Sequence, residues 1–260
     1  MAASLASSIT HPPMARSRAG RRDLATLIER TTPGVMAHER LIAVEECLTD
    51  LLPLGGLRRG SSVAVGGPAA VSLVLALCAA GSRDGAWVGA VGMESLGLAA
   101  AVEHGLVPER LFLVSAPPPS RWAEIVTVAA EGAELIVARV PDRLTPGDVR
   151  RVQARLGVRG TVLLLVEGRP SGVQSSGSSS IGGLTDLCLA TRTMSWEGIG
   201  EGHGRLISRR VVVEVSGRRS GRPHSVELLV PGPSGAVERL PDVAMEPAVP
   251  DNVTSLRRAG

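Results

Sequence analysis

The chain has 260 residues, 28 basic against 25 acidic for a formal net charge of +3, with 44% hydrophobic and 2% aromatic residues. All of the basic residues are arginine, and there is no lysine or tyrosine anywhere. Chemistry that needs a lysine, whether a Schiff base, a general base or a phosphate-binding cation, is therefore excluded. The hydrophobic fraction excludes a wholly disordered chain, and the length suits one large domain with tails.

Residues 1–22 carry Arg16, Arg18, Arg21 and Arg22 but no acid, a composition similar to a weak transit peptide. They lack the apolar stretch of a secretory signal, so they are expected to be a disordered basic tail or the product of an early start codon, with Met14 or Met36 as the alternative start. Residues 23–53 read as an N-terminal helical element, because Leu41, Val44, Leu48 and Leu51 recur at helical spacing. Cys47, Cys78 and Cys188 are scattered and odd in number, each among apolar neighbours, which predicts buried thiols in a reducing compartment. Without a CxxC pair or clustered histidines, no metal site is expected.

From residue 61 onward short apolar runs alternate with amphipathic segments. Residues 62–65, 86–91, 111–114, 135–138 and 161–166 read as strands, continuous enough to be buried on both faces of a parallel sheet. Residues 63–80 are apolar over a length that raises the question of a membrane span, but Gly66, Gly67 and Pro68 break them into strand, turn and helix. Helices are expected over 70–80, 95–103, 120–131 and 145–156, the last opened by Thr145 as N-cap, Pro146 at the first helical position and Asp148 three residues after the cap. Five strand-helix alternations predict a three-layer α/β sandwich. Residues 168–183, almost wholly Gly and Ser, are expected to be a mobile loop. Further strands at 187–193, 208–215 and 225–230 close the sheet with an antiparallel hairpin, and residues 232–260 read as an extended tail.

The segment 54–77, LGGLRRGSSVAVGGPAAVSLVLAL, resembles the entry to the RecA-like ATPase core, with a Gly-rich turn, a strand, a Gly-Pro loop and an apolar helix. In that superfamily the loop follows G-x-x-x-x-G-K-[ST], whose amides cradle phosphate. Here the eight residues are GGPAAVSL: Gly66 keeps the first glycine, Val71 replaces the second, Ser72 the lysine and Leu73 the magnesium-binding hydroxyl. The resemblance continues over residues 52–230, placing Glu94 at the catalytic glutamate and Arg139 at the Walker B aspartate. Loss of cation and metal ligands together would cripple phosphoryl transfer. Glu94 is then expected to be a solvated carboxylate near a helix start, and no nucleotide or other cofactor is expected.

Within the superfamily the chain is most similar to the ImuA-type subunits of translesion mutasomes. That resemblance implies a cytoplasmic, nucleoid-associated accessory factor of the SOS response, without catalysis. Its implied partners are an ImuB-type polymerase-like scaffold, an error-prone C-family polymerase and RecA, with no membrane. Two alternatives stay open: a weak, atypical NTPase using Glu94, and a SulA-like cell-division inhibitor.

The second signal is basic. Arg205, Arg209, Arg210, Arg218, Arg219 and Arg222 face the single acid Glu214. On a hairpin, several could converge on DNA phosphates without sequence preference or on an acidic partner, or they could form a solvated edge that discourages strand pairing. Trp196 is the tryptophan expected at the surface, while Trp87 and Trp122 read as core or interface anchors. Arg257 and Arg258 near the C-terminus are further candidate contacts.

Overall fold

The computed structural model describes residues 41–167, 183–200, 203–218, 220 and 222–240. Contacts divide the chain after Leu41, and the elements labelled below belong to the unit from Ile42 onward. The expected tail at 1–22, the expected helix at 23–30, nearly all of the Gly/Ser loop at 168–183, Arg219, Arg257 and Arg258 lie outside the described residues.

Among the described residues, nine strands make up the large sheet: β1 (Ser62–Gly66), β2 (Val88–Val91), β3 (Leu111–Val114), β4 (Leu135–Arg139), β5 (Val162–Val166), β6 (Leu187–Gly200), β7 (His203–Ser216), β8 (His224–Leu229) and β9 (Glu238–Arg239). They form one sheet in the order β9-β8-β7-β6-β1-β5-β4-β2-β3. From β6 through β3 every neighbouring pair is parallel, while β6–β7, β7–β8 and β8–β9 are antiparallel. The helices are α1 (Ala70–Arg83), α2 (Leu98–Glu103), α3 (Trp122–Gly132) and α4 (Pro146–Arg159).

The continuous apolar strands are buried on both sides, as a parallel sheet requires. Val63 and Val65 of β1 join Leu73, Val74 and Leu77 of α1 in one core, and Ala64 joins Leu163 and Leu165 of β5 with Val126 of α3 and Leu156 of α4 in the other. The architecture is the three-layer α/β sandwich with a mainly parallel sheet and an antiparallel C-terminal part. Every residue of α1 from Leu73 to Ser82 is buried, so its alanines and leucines serve packing rather than an amphipathic surface. Among the described residues no helix is long and apolar enough to cross a membrane.

Three expectations change. Residues 41–50 hold a short strand, Leu41–Ile42, and a 3-10 helix, Glu46–Leu51, rather than an α-helix. Leu48 and Leu51 still share one buried side, because a spacing of three is the repeat of a 3-10 turn. The expected strands at 187–193 and 208–215 extend into a ribbon of two 14-residue strands. The expected extended tail from 232 is part of the sheet at its start, since Glu238–Arg239 pairs with β8 at the sheet edge, and residues 241–260 lie outside the described residues. Of the cysteines, all free, Cys78 is buried as expected but Cys47 and Cys188 are only partly so.

Helix α4 starts as its sequence dictates. The Thr145 hydroxyl accepts from the Asp148 amide at 3.2 Å, the Asp148 carboxylate accepts from the Thr145 amide at 3.2 Å, and Gly160 at φ 71° ends the helix. The hydroxyl of Thr145, then its amide, hold the Asp148 carboxyl below its usual value. Thr145→Ala is expected to cost about 1 kcal/mol in urea unfolding. A carboxylate lowered on folding stabilises fully above its unfolded value near pH ~4 and less as pH falls through the folded value, so the deficit should shrink below about pH 4.

Candidate functional site

The residues that carry the RecA-like resemblance lie at the carboxyl ends of the parallel strands, where ligands of open α/β sheets bind. Strand β1 ends at Gly66 and α1 begins at Ala70, so only residues 67–69 separate them. Val71, Ser72 and Leu73 are therefore in the first turns of α1 and not in a loop. Val71 is at the surface, and Leu73 has no exposure at all and belongs to the core.

The turn is closed by β6. The Ala69 amide donates to Oγ1 of Thr191 at 3.0 Å, and that hydroxyl donates to the Gly66 carbonyl at 2.8 Å. The Ala70 amide is turned inward to the Gly67 carbonyl at 3.2 Å. Gly67 is at φ 93°, and a Cβ there would lie 2.1 Å from the Thr191 carbonyl oxygen, so only glycine fits. On the β5 side, a Cβ on Gly66 would come 2.8 Å from Oε2 of Glu167, which places an acid against the strand end. The amides of Ala69 and Ala70 are thus committed to protein acceptors rather than to a phosphate, and the carboxylate at Gly66 repels an anion.

Arg209 of β7 completes the arrangement. It is 7% exposed. Its Nε donates to the Val230 carbonyl at 2.6 Å, Nη1 to the Pro68 carbonyl at 3.2 Å and Nη2 to Oγ of Ser72 at 3.3 Å, while the guanidinium carbon lies 5.2 Å from the centroid of the Trp196 ring. No carboxylate is within ion-pair distance among the described residues, and burial lowers the pKa of this arginine. Ser72, which stands at the position of the lysine in the resemblance, is therefore met by a cation from another strand.

Farther along the sheet, Oε1 of Glu94 accepts from the Ala116 amide at 2.7 Å. Glu94 is exposed and precedes α2 by four residues, consistent with a solvated carboxylate near a helix start, and its contact with Ala116 fixes the exit of β3. Arg139, the last residue of β4, donates from Nε to the Gly92 carbonyl at 3.3 Å, and its own carbonyl accepts from the buried Trp122 indole at 2.9 Å.

The arginines of the basic segment do not converge. Arg209 is buried at the head of α1, Arg210 is paired with Glu227 across β7 and β8 at 3.0 Å, and Arg205 lies exposed on the outer part of the ribbon. Arg218 donates to the carbonyls of Gly183 and Thr185 at 3.2 and 3.1 Å, and Arg222 is exposed in the β7–β8 connection. At ~3.3 Å per residue, Arg205 is about 36 Å from Ser216 at the end of β7, and Arg218 lies beyond that end. Trp196 is 51% exposed, as its sequence surroundings predict, and Trp87 is 42% exposed rather than a core residue. The sequence reading missed Thr191, Glu167 and the inward turn of Arg209. Arg209 did carry one signal, since it shares the inward parity of Val211, Val213 and Val215 on an alternating strand.

The MT3502 N-terminal domain family matches residues 50–171. An uncharacterized protein of Mycobacterium tuberculosis, Rv3395c, is similar at 28% identity over 201 residues, covering 76% of this chain and 89% of that protein. Among solved structures, the RadB recombinase is similar with a TM-score of 0.56 and 12% identity, covering 77% of this chain and 99% of that one. The fold is RecA-like.

Two outcomes follow from the geometry. Thr191→Val removes the acceptor of a buried amide and should cost about 1–3 kcal/mol in urea unfolding. Arg218→Glu is expected to lower the melting temperature, because Arg218 ties the end of β7 to the segment entering β6.

Proposed function

We propose that the chain is a non-catalytic, RecA-like accessory subunit of a translesion mutasome, acting in damage tolerance beside an ImuB-type polymerase-like scaffold and an error-prone C-family polymerase. The observation that carries this reading is the three-residue turn at 67–69, with the Ala69 amide taken by Thr191, the Ala70 amide that follows it taken by the Gly67 carbonyl, and the Pro68 carbonyl held by Arg209. Phosphoryl transfer depends on positioned amides, a cation on the β/γ-phosphates and a metal ligand. Two amides at the strand-to-helix turn are engaged within the protein, Ser72 is engaged by Arg209, and Leu73 is buried. The RecA-like fold and the similarity to the mycobacterial protein support placing the chain in this group, and the unpaired outer ribbon supports a role in assembly. The protein is proposed to work in the cytoplasm at the nucleoid, with any DNA contact made through phosphates and without sequence preference.

Calorimetric titration with ATP and Mg²⁺ is expected to give no heat of binding. Micromolar binding with turnover abolished by Glu94→Gln would establish an atypical NTPase instead. Affinity capture of the tagged chain after DNA damage is expected to recover the polymerase-like scaffold. Recovery of a tubulin-like division protein without the scaffold would assign a SulA-like role.

A further inference from the structure

The outer half of the β6–β7 ribbon is built like a surface awaiting a strand. Strand β6 pairs with β1 only as far as Ala190, and the β8 side bonds to β7 only as far as Arg209, whose amide donates to the Pro231 carbonyl and whose carbonyl accepts from the Val230 amide. Beyond those points, among the described residues, neither edge of the ribbon has a neighbouring strand. A two-stranded ribbon standing in water is marginal by itself. This one also exposes Met194, Trp196, Ile199 and Ile207 at 48, 51, 53 and 49%. Apolar residues gathered on one short element mark an interaction site rather than scattered surface.

Ribbon geometry puts the key groups on one face. Trp196 is directly opposite Arg209, and at Gly198, with φ 85°, a Cβ would lie 2.2 Å from the Arg205 carbonyl oxygen and 2.6 Å from Cγ1 of Ile207. Ile207 and Arg209 are two residues apart on β7 and share that face. Beside the open edge of β7 is a cleft of about 580 Å³, lined by Arg205, Leu206, Ile207, the turn at 231–235 and Glu103.

Charge indicates what the surface takes. A guanidinium has five N–H donors, and Arg209 uses three of them, all on neutral acceptors. It is more than nine-tenths buried, and it sits at the N-terminal end of α1, where the helix dipole disfavours a cation. A buried cation is ordinarily paired with an acid, and here none is within reach among the described residues. Two further buried polar atoms, Nδ1 of His104 and Oγ1 of Thr193, have no hydrogen-bond partner among the described residues, and Thr193 is on β6, the strand of Trp196. The missing partner is an anion, and the exposed apolar residues and open strand edge around it favour an anion carried on a polypeptide over a bare phosphate.

We propose that the outer half of the β6–β7 ribbon docks an extended acidic segment of a protein partner, which adds to the open edge of β7 and sets a carboxylate against Arg209 beside Trp196. Main-chain hydrogen bonds along the edge supply affinity, and Ile207, Trp196 and the buried guanidinium supply selectivity. The proposal rests on the assembly reading above and names the chemistry of the partner at that site.

A phage-displayed library of random peptides, panned on the immobilised full-length chain, tests it without knowledge of the partner. Enriched peptides are expected to carry Asp or Glu flanked by β-branched residues. Trp196→Ala and Ile207→Asp should each weaken the best peptide by at least about tenfold, and amide replacement of its acid should do the same. Arg209→Gln should match them where its melting curve shows a folded protein, and the other two variants decide the matter where it does not. Enrichment of basic or uncharged peptides, no enrichment, or equal binding by Trp196→Ala and Ile207→Asp overturns the proposal. Displacement of the peptide by stoichiometric oligodeoxythymidine also overturns it and reassigns the ribbon to nucleic acid. Capture of the polymerase-like scaffold by wild type is measured separately. Capture that persists in Trp196→Ala and Ile207→Asp defeats the ribbon proposal and leaves the assembly reading standing, whereas a scaffold never captured defeats the assembly reading while the peptide result still judges the ribbon.

Discussion

A backbone amide buried where a strand turns into a helix must find an acceptor, and in this chain Thr191 supplies it. Its hydroxyl spans the Ala69 amide and the Gly66 carbonyl, so one side chain on β6 fixes the exit of β1 and the entry of α1 together. The consequences run outward. Residue 67 has to be glycine, because the Thr191 carbonyl occupies the space of a Cβ. The first turns of α1 are set at Ala70, which carries Leu73 and Leu77 into the core beneath the sheet and leaves Ser72 facing β7. A wider loop would need those same amides turned outward, and the two arrangements are exclusive, since each N–H makes one good hydrogen bond.

Arg209 depends on that closure. Its Nη1 contact is to the carbonyl of Pro68, inside the turn, and its Nη2 contact is to Ser72, just beyond it. The same arginine reaches back to Val230 and across to Trp196, linking the turn, the end of β8 and the outer ribbon through a single planar group. Arginine suits this position where lysine would not, because a guanidinium can donate in three directions in one plane while stacking on an indole. In a chain with no lysine at all, the cation of this site comes from a strand far along the sequence, and it meets protein carbonyls where a lysine on α1 would meet phosphate.

Much of the frame was legible because its signals were local. Thr145, Pro146 and Asp148 mark a helix start through contacts made within four residues, and the apolar runs of β1, β4 and β5 admit no reading other than burial on both faces. The ribbon was not legible, because glycines ordinarily interrupt a strand pattern, and Gly198 and Gly204 lie inside β6 and β7 at positive φ. Nor was the dispersal of the arginines. Six cations in a short stretch of sequence suggest a patch, yet on a 14-residue strand alternate residues point to opposite faces and the ends are tens of ångströms apart. Thr191 gave no signal, since its partners are more than a hundred residues away in sequence.

The turn at 67–69 also bears on how such a fold persists without a ligand. A loop ordered by nucleotide gains stability by mass action, about 2.7 kcal/mol when the ligand is at a hundred times its dissociation constant, and loses it when the ligand leaves. A loop held by Thr191 and Arg209 has its hydrogen bonds at all times, so its order does not depend on metabolite concentration. The remaining debt is electrostatic, a buried cation without an acid among the described residues, and it is located at the base of a ribbon whose outer half has no neighbouring strand among them. Stability and incompleteness are thereby separated in space: the parallel half of the sheet is finished by its own side chains, and the antiparallel half is where the fold stays open to another molecule.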